Sequence, residues 1–222
     1  MSTSGGTWVN ALLFAASIIL AVQVGAALLG GRRPTVTATA VGLWLLVAVP
    51  SVLQFPFPVL LTSLRRDPNL IRHQGQIWRV LTSVVVQDGG VPGTVFNLVI
   101  LAVVAGFAVA VWGSVLAPIC FLLAHLVFNT AAVFLSPDVG AGNSGATLGL
   151  GASMAALAVL SRSETALRWR ALGVLGVGIA LAAIGDAHGI AVLGGLIIGA
   201  LMASATGRAG NLWQTRGHHV PG

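Results

Sequence analysis

Seven apolar runs, parted by short polar or Gly/Pro-rich breaks, take up most of this 222-residue chain. A run of about 20 apolar residues crosses the hydrocarbon core of a bilayer as one helix, because a helix satisfies its own backbone groups where no water can. The chain is 56% hydrophobic and only 7% charged, against roughly 25% charged in soluble domains. These proportions predict an all-α integral membrane protein with the lipid bilayer as its first partner and no room for a soluble second domain.

Residues 1–7 are polar without Lys or Arg, and the run from about 8 to 30 is too long and lacks the basic flank of a cleaved signal peptide, so it is expected to remain as a span. Arg32 and Arg33 follow it and favour a cytoplasmic turn, which places the N-terminus outside. A second span over 36–62 carries Pro50, Pro56 and Pro58, and its second half is expected to be kinked or unwound. The connection 63–92 holds Arg65, Arg66, Asp67, Arg72, His73 and Arg79 and is read as interfacial structure on the outer side. Spans three (93–112) and four (115–135) are joined at Gly113-Ser114, and an outer loop from Ser136 to Asn143 leads into span five (144–160). Arg162, Arg168 and Arg170 then cluster inside. Span six (171–184), the outer turn 185–187 and span seven (188–205) lead to a cytoplasmic tail, residues 207–222, with Arg208, Arg216, His218 and His219. Seven Arg thus fall inside and four outside, a bias that suits a plasma or inner membrane.

The net charge of +6 comes from eleven Arg scattered singly or in pairs, which excludes a basic stripe for nucleic acid. The single Cys120 sits in an apolar run, so it can form no intrachain disulfide and is a poor start for a metal cluster. No metal and no cofactor are expected.

With this topology Asn97, Ser144 and His188 each fall near the outer end of an inward-running helix, within about 7 Å of depth at 1.5 Å rise per residue. Cleaving an amide takes a nucleophile, a base that takes its proton and later protonates the leaving amine, and donors where the oxyanion develops. A serine, a histidine and an asparagine at one depth can fill those roles. Gly145, Gly149 and Ser153 on span five, and Ala191, Gly195 and Gly199 on span seven, are small residues at fourfold spacing that let two helices touch in lipid. Each residue also has a structural reading: Ser144 as a helix cap, His188 as a buried histidine bonded to a carbonyl, Asn97 as an interhelical bridge. Asp186 is expected to cap span seven, with orientation of His188 as its other reading; His125 and Asn129 are expected to make an interhelical contact, with compensation for Gly93 as theirs; and Trp78 and Arg79 are expected to anchor the interface. Alone, the Gly142-Asn143-Ser144-Gly145 pattern is weak, since a chain of this composition produces G-x-S-G by chance about 0.2 times.

Four features together resemble the rhomboid family of intramembrane serine proteases, over about residues 36–206. These are the Gly75-Gln76-Ile77-Trp78-Arg79-Val80-Leu81-Thr82 segment of the long connection, Asn97 heading the next helix, Gly142-Asn143-Ser144-Gly145, and His188 before a small-residue ladder. The resemblance implies a six-helix core over 36–206, preceded by one added N-terminal helix in 1–35. It implies a Ser144/His188 dyad, with Asn97 and the Ser144 backbone N–H as oxyanion donors and no cofactor. Substrates would be transmembrane helices cut near the outer face, with span six and the 185–187 turn as gate and lid. The chain departs from the family where Gly93 stands at the usual oxyanion histidine, Gln87 at a loop position often His, and Leu148 where a ring commonly stacks on the catalytic histidine. No acidic residue among Ala105 to Trp112 is present to pair with Arg79. A non-proteolytic rhomboid-like protein that binds transmembrane clients is the alternative these departures leave open. A small transporter fits less well, because spans two to seven hold few intramembrane charges.

Overall fold

The computed structural model describes residues 7–136, 138–161 and 164–208. Pro137, Arg162, Arg216, His218 and His219, which figure in the topology above, lie outside the described residues. Those described form nine α-helices: α1 (Trp8–Leu28), α2 (Ala38–Leu53), α3 (Val59–Leu64), α4 (Pro68–Gln74), α5 (Trp78–Thr82), α6 (Gly90–Leu135), α7 (Ser144–Leu160), α8 (Thr165–Ala183) and α9 (His188–Ala205). Among them the only extended pairing is a single bridge between Arg66 and Gly140. Helices α1, α6, α8 and α9 are long and apolar enough to cross a membrane, and α2 and α7 are shorter apolar helices. The chain is a multi-pass, all-α membrane protein.

Helix α6 is two helices in one. Gly113, at φ 83° and ψ 174°, breaks it into arms of residues 90–112 and 114–135, a conformation that glycine adopts at little steric cost. The arms run oppositely along α7. In the first, Asn97 lies by Asn143 and the Trp112 indole donates to Ser153 Oγ at 2.9 Å. In the second, Ala124 faces Gly149 and Phe128 faces Gly145.

Helix α7 is the centre of the bundle. Every residue from Gly145 to Ala158 is buried, as a helix apolar on all sides must be, and α9, α8, α1 and both arms of α6 pack around it. Its many Gly and Ala let those neighbours come close. The two small-residue ladders meet backbone to backbone. A Cβ added at Gly195 would strike the Gly149 carbonyl oxygen, one at Gly199 the Ser153 carbonyl oxygen, and one at Gly149 would lie 3.0 Å from the Ala191 oxygen.

Three segments differ from the sequence reading. Helix α2 carries Pro50 within it but stops at Leu53. The chain resumes as α3 only after Pro56 and Pro58, because a residue before proline is pushed out of the helical region. Helix α8 begins at Thr165 rather than 171, so Arg168 and Arg170 sit in its first two turns and not in a loop. Arg is a good helix former, and charge at a span's end does not stop a helix. The connection 63–92 folds into α4, α5 and a 3₁₀ turn at Ser83–Val85. Asp67 caps α4 through the N–H groups of Asn69 and Leu70, and Gly75 ends it at φ 69°, the left-handed stop that glycine favours.

Arg79 is not an interfacial anchor. It is buried, and its guanidinium donates to Gln76 Oε1 at 2.7 Å and to the carbonyls of Thr62 and Arg65 at 2.9 and 3.0 Å. Backbone oxygens thus take the place of the missing acid. Trp78, beside it, is exposed.

The α7/α9 contact predicts that Gly195→Ala lowers stability by about 2 kcal/mol or more, the scale of overpacking a tight contact. Thermal unfolding in detergent should show the loss, whereas Gly176→Ala, at a site where an added Cβ meets nothing within 4 Å, should leave the midpoint unchanged.

Candidate active site

Ser144 is the first residue of α7 and His188 the first of α9. Because the ladders hold these helices in backbone contact, the two first residues meet: Ser144 Oγ lies 2.9 Å from His188 Nε2. His188 is buried and Ser144 is half-buried. Asn97 lies about two turns into α6, slightly deeper than its position in the sequence-based span. It is joined to this end of the bundle through Asn143, whose amide donates to the Asn97 carbonyl at 3.3 Å.

The carboxylate of Asp186 completes a chain behind the histidine. Its Oδ1 accepts from His188 Nδ1 at 2.8 Å and from the His188 backbone N–H at 2.9 Å, while Oδ2 accepts from Asn10 Nδ2 at 2.8 Å. Asp186 therefore caps α9, as its sequence position suggests, and also holds the imidazole. Burial opposes its ionisation, but the hydrogen bond and charge of His188, the Asn10 amide and the backbone N–H outweigh that and hold the carboxyl below its ordinary value of 3.8. A depressed carboxyl stabilises the fold fully above that ordinary value, and the contribution is lost as pH falls through the lower folded value. An ionised carboxylate only accepts, so Nδ1 carries a proton, and in the neutral imidazole Nε2 then presents its lone pair to the serine hydroxyl. Such a chain can take a proton from Ser144 and stabilise the imidazolium that results.

Two phenylalanines enclose the imidazole. Phe128 stacks on it at 5.4 Å between centroids with 24° between planes, and Phe14 meets it edge-on at 5.2 Å and 88°. Leu148 is buried in α7 and is not the partner ring.

Beside Ser144 the backbone leaves a hollow. Gly142 has φ 138°, and a Cβ there would sit 3.1 Å from Gln87 Oε1, 3.5 Å from Asn97 Nδ2 and 4.0 Å from the Ser144 backbone N. Two donors thus lie beside Gly142, where a Cβ would crowd against Gln87 Oε1 and impose a strained backbone. Asn97 Nδ2 already gives one hydrogen to Gln87 Oε1 at 2.8 Å. A small adjoining cavity of about 10 Å³ between Arg66, Phe128 and Ser144 has room for about one water molecule.

The loop before Ser144 is fixed by the 63–92 connection. Arg66 and Gly140 exchange backbone hydrogen bonds of 2.8 and 3.0 Å, the Gly142 N–H donates to the Ser83 carbonyl at 2.9 Å, and the Ala141 N–H donates to Asp88 at 2.9 Å. Gln87 Nε2 donates to Asn143 Oδ1 at 2.9 Å, and Gln87 is itself clasped by Gln54 through two 2.8 Å bonds. His125 and Asn129 belong to this stitching and do not reach Ser144. Asn129 Oδ1 accepts from Arg66 at 2.8 Å and from Ser83 at 3.2 Å, its amide meets His125 Nδ1 at 2.9 Å, and His125 Nε2 donates to the Leu81 carbonyl at 3.1 Å.

The sequence reading passed over Asn10, Phe14 and Phe128 and ranked the capping role of Asp186 above the orienting role, whereas the carboxylate fills both. One signal was present: Asn10 is a polar residue in the second turn of an apolar span, a place that calls for a partner. Among the described residues no group of three or more His, Cys, Asp or Glu is placed to hold a metal ion.

This geometry predicts how Ser144 reacts with a fluorophosphonate, whose phosphoryl oxygen must lie against hydrogen-bond donors while the serine loses its proton. Labelling should slow at least about tenfold in His188→Ala and in Gly142→Ala and vanish in Ser144→Ala, as mass spectrometry of the labelled peptide would show. Scans against protein-family models, curated proteins and solved structures return no match, so the reading of this site rests on its own atoms.

Proposed function

We propose that this chain is an intramembrane serine endopeptidase of rhomboid type that cleaves transmembrane protein substrates near the outer membrane face. The single observation that carries the reading is the 2.9 Å contact from Ser144 Oγ to His188 Nε2, between the first residues of two closely packed apolar helices. Ser144 Oγ would bond to the scissile carbonyl carbon as its proton passes to Nε2. The tetrahedral oxyanion would lie toward Asn97 Nδ2 and the Ser144 N–H. Collapse would expel the amine, protonated by the imidazolium, and water activated by His188 would then release the acyl group.

The orientation belongs to the same reading. Arg32, Arg33, Arg168, Arg170 and Arg208 fall at the far ends of their helices from Ser144, and the positive-inside rule makes that end cytoplasmic. The N-terminus is then outside and the C-terminus inside, in a plasma or inner membrane. Residues 36–206 would be the six-helix core and α1 the added helix, with α8 and the 185–187 turn as the parts that move aside for substrate.

A second reading, a client-binding protein without proteolysis, is favoured by two facts. Gly93 offers no donor one turn before Asn97, and Gln87 holds one of the Asn97 amide hydrogens. Removing a single oxyanion donor lowers turnover by roughly 10² to 10³.

In liposomes with a panel of transmembrane substrates, wild type should cleave, and Ser144→Ala and His188→Ala should not. Equal cleavage by wild type and Ser144→Ala would sink the protease reading. Nothing lies within 4 Å of a Cβ built at Gly93, so Gly93→His should fold and raise kcat about tenfold or more by restoring a donor. Unchanged turnover in that variant would mean that the donors already present suffice.

A further inference from the structure

We infer that Asp186 and Asn10 are positioning residues for His188, so that the Ser144 site is completed by a side chain of the N-terminal helix α1. The inference deepens the protease reading and rests on it for its effect on turnover, though not for its effect on the histidine itself.

A helix cap needs one acceptor for one N–H. Asp186 does more: Oδ1 takes both the backbone N–H and Nδ1 of His188, at 2.9 and 2.8 Å, and Oδ2 takes Asn10 Nδ2 at 2.8 Å. The Asn10 amide is held the right way round at its other end, because Oδ1 accepts from the Thr7 N–H at 3.1 Å and the Thr7 hydroxyl at 2.9 Å. Both carboxylate oxygens are therefore engaged, and the carboxyl plane is fixed between α1 and α9. With Asp186 only 7% exposed, its two bonds to His188 are buried and made where water competes little, so they constrain strongly, while the Thr7–Asn10 pair lies at the exposed edge. Phe14, one turn further along α1, lies edge-on to the same imidazole. The N-terminal helix thus reaches His188 twice, once through a carboxylate and once through a ring.

This arrangement imposes a tautomer. An acceptor-only group on Nδ1 leaves Nε2 unprotonated toward Ser144 Oγ, which is the state a base for that hydroxyl requires. The carboxylate also lies against the imidazole as it gains charge. A residue that merely capped α9 would do neither.

The experiment uses full-length protein labelled with ¹⁵N-histidine in nanodiscs, with His188 assigned by the signal lost in His188→Gln. Wild type should show His188 protonated at Nδ1. In Asp186→Ser, which keeps an oxygen for the backbone N–H but is too short for Nδ1, the signal should move toward the Nε2–H form. In cleavage assays Asp186→Ser should lower kcat at least about tenfold with KM within about twofold. Asn10→Ala should fall between it and wild type while remaining folded at the assay temperature. An unchanged Nδ1–H signal in Asp186→Ser would overturn the inference, as would wild-type kcat in that variant or in Asn10→Ala. Loss of the protease reading is separately visible as equal cleavage by wild type and Ser144→Ala, and the tautomer would still decide whether Asp186 positions His188.

Discussion

The contact of α7 with α9 at Gly149, Gly195 and Gly199 governs the spacing of everything at the Ser144 end of the bundle. Lipid offers no hydrophobic drive to press two helices together, so association depends on how closely backbones can approach. Here no side chain intervenes, and the interhelical distance is set by peptide atoms rather than by rotamers. Ser144 lies one residue before the first glycine of its ladder, and His188 three residues before the first alanine of its own. With so little chain between fixed backbone and reacting atoms, a 2.9 Å hydrogen bond needs no adjustable loop to hold it.

That arrangement raises a second difficulty, which the 63–92 connection meets. Helix α7 has 17 residues and is about 25 Å long at 1.5 Å per residue, less than the roughly 30 Å of a hydrocarbon core. Its N-terminal end and the irregular chain before it therefore sit where backbone groups need protein partners. Arg66, Ser83, Gln87 and Asp88 supply them to residues 140–143, and Asn129 and His125 in turn hold the connection to the second arm of α6. The buried polar residues here serve as a substitute for water. Arg79 does the same between α3 and α5, bonding backbone oxygens in place of an acid.

Much of the fold was legible because apolar length and helix breakers are local properties. The apolar helices, the reversal at Gly113 and the starts of α7 and α9 follow from them. The stop of α2 at Leu53 and the early start of α8 were less so, since prolines and terminal arginines mark a region rather than a residue. Of the site, the sequence carries depth along each helix but not direction around it. Depth alone sets Ser144 near His188, and it also sets Asn129 in sight of the same end, though Asn129 turns toward Arg66 instead. For Asp186 the sequence left capping ahead of orienting because both demand the same spacing to His188, and only the Nδ1 contact and the position of Asn10, 176 residues away, separate them. Phe128 and Phe14 take the place expected of a ring at 148 for the same reason: the space beside an imidazole can be filled from any neighbouring helix.

The bond between Asn10 and Asp186 ties α1 to the turn before α9. Until α9 has docked, Ser144 has no histidine beside it, Gly149 has no ladder to face, and Asn10 has no carboxylate. The pairing of Ser144 with His188 comes into being only with the last of these contacts. Under the protease reading, a chain truncated between residues 144 and 188 would carry the serine without its base and could not cut.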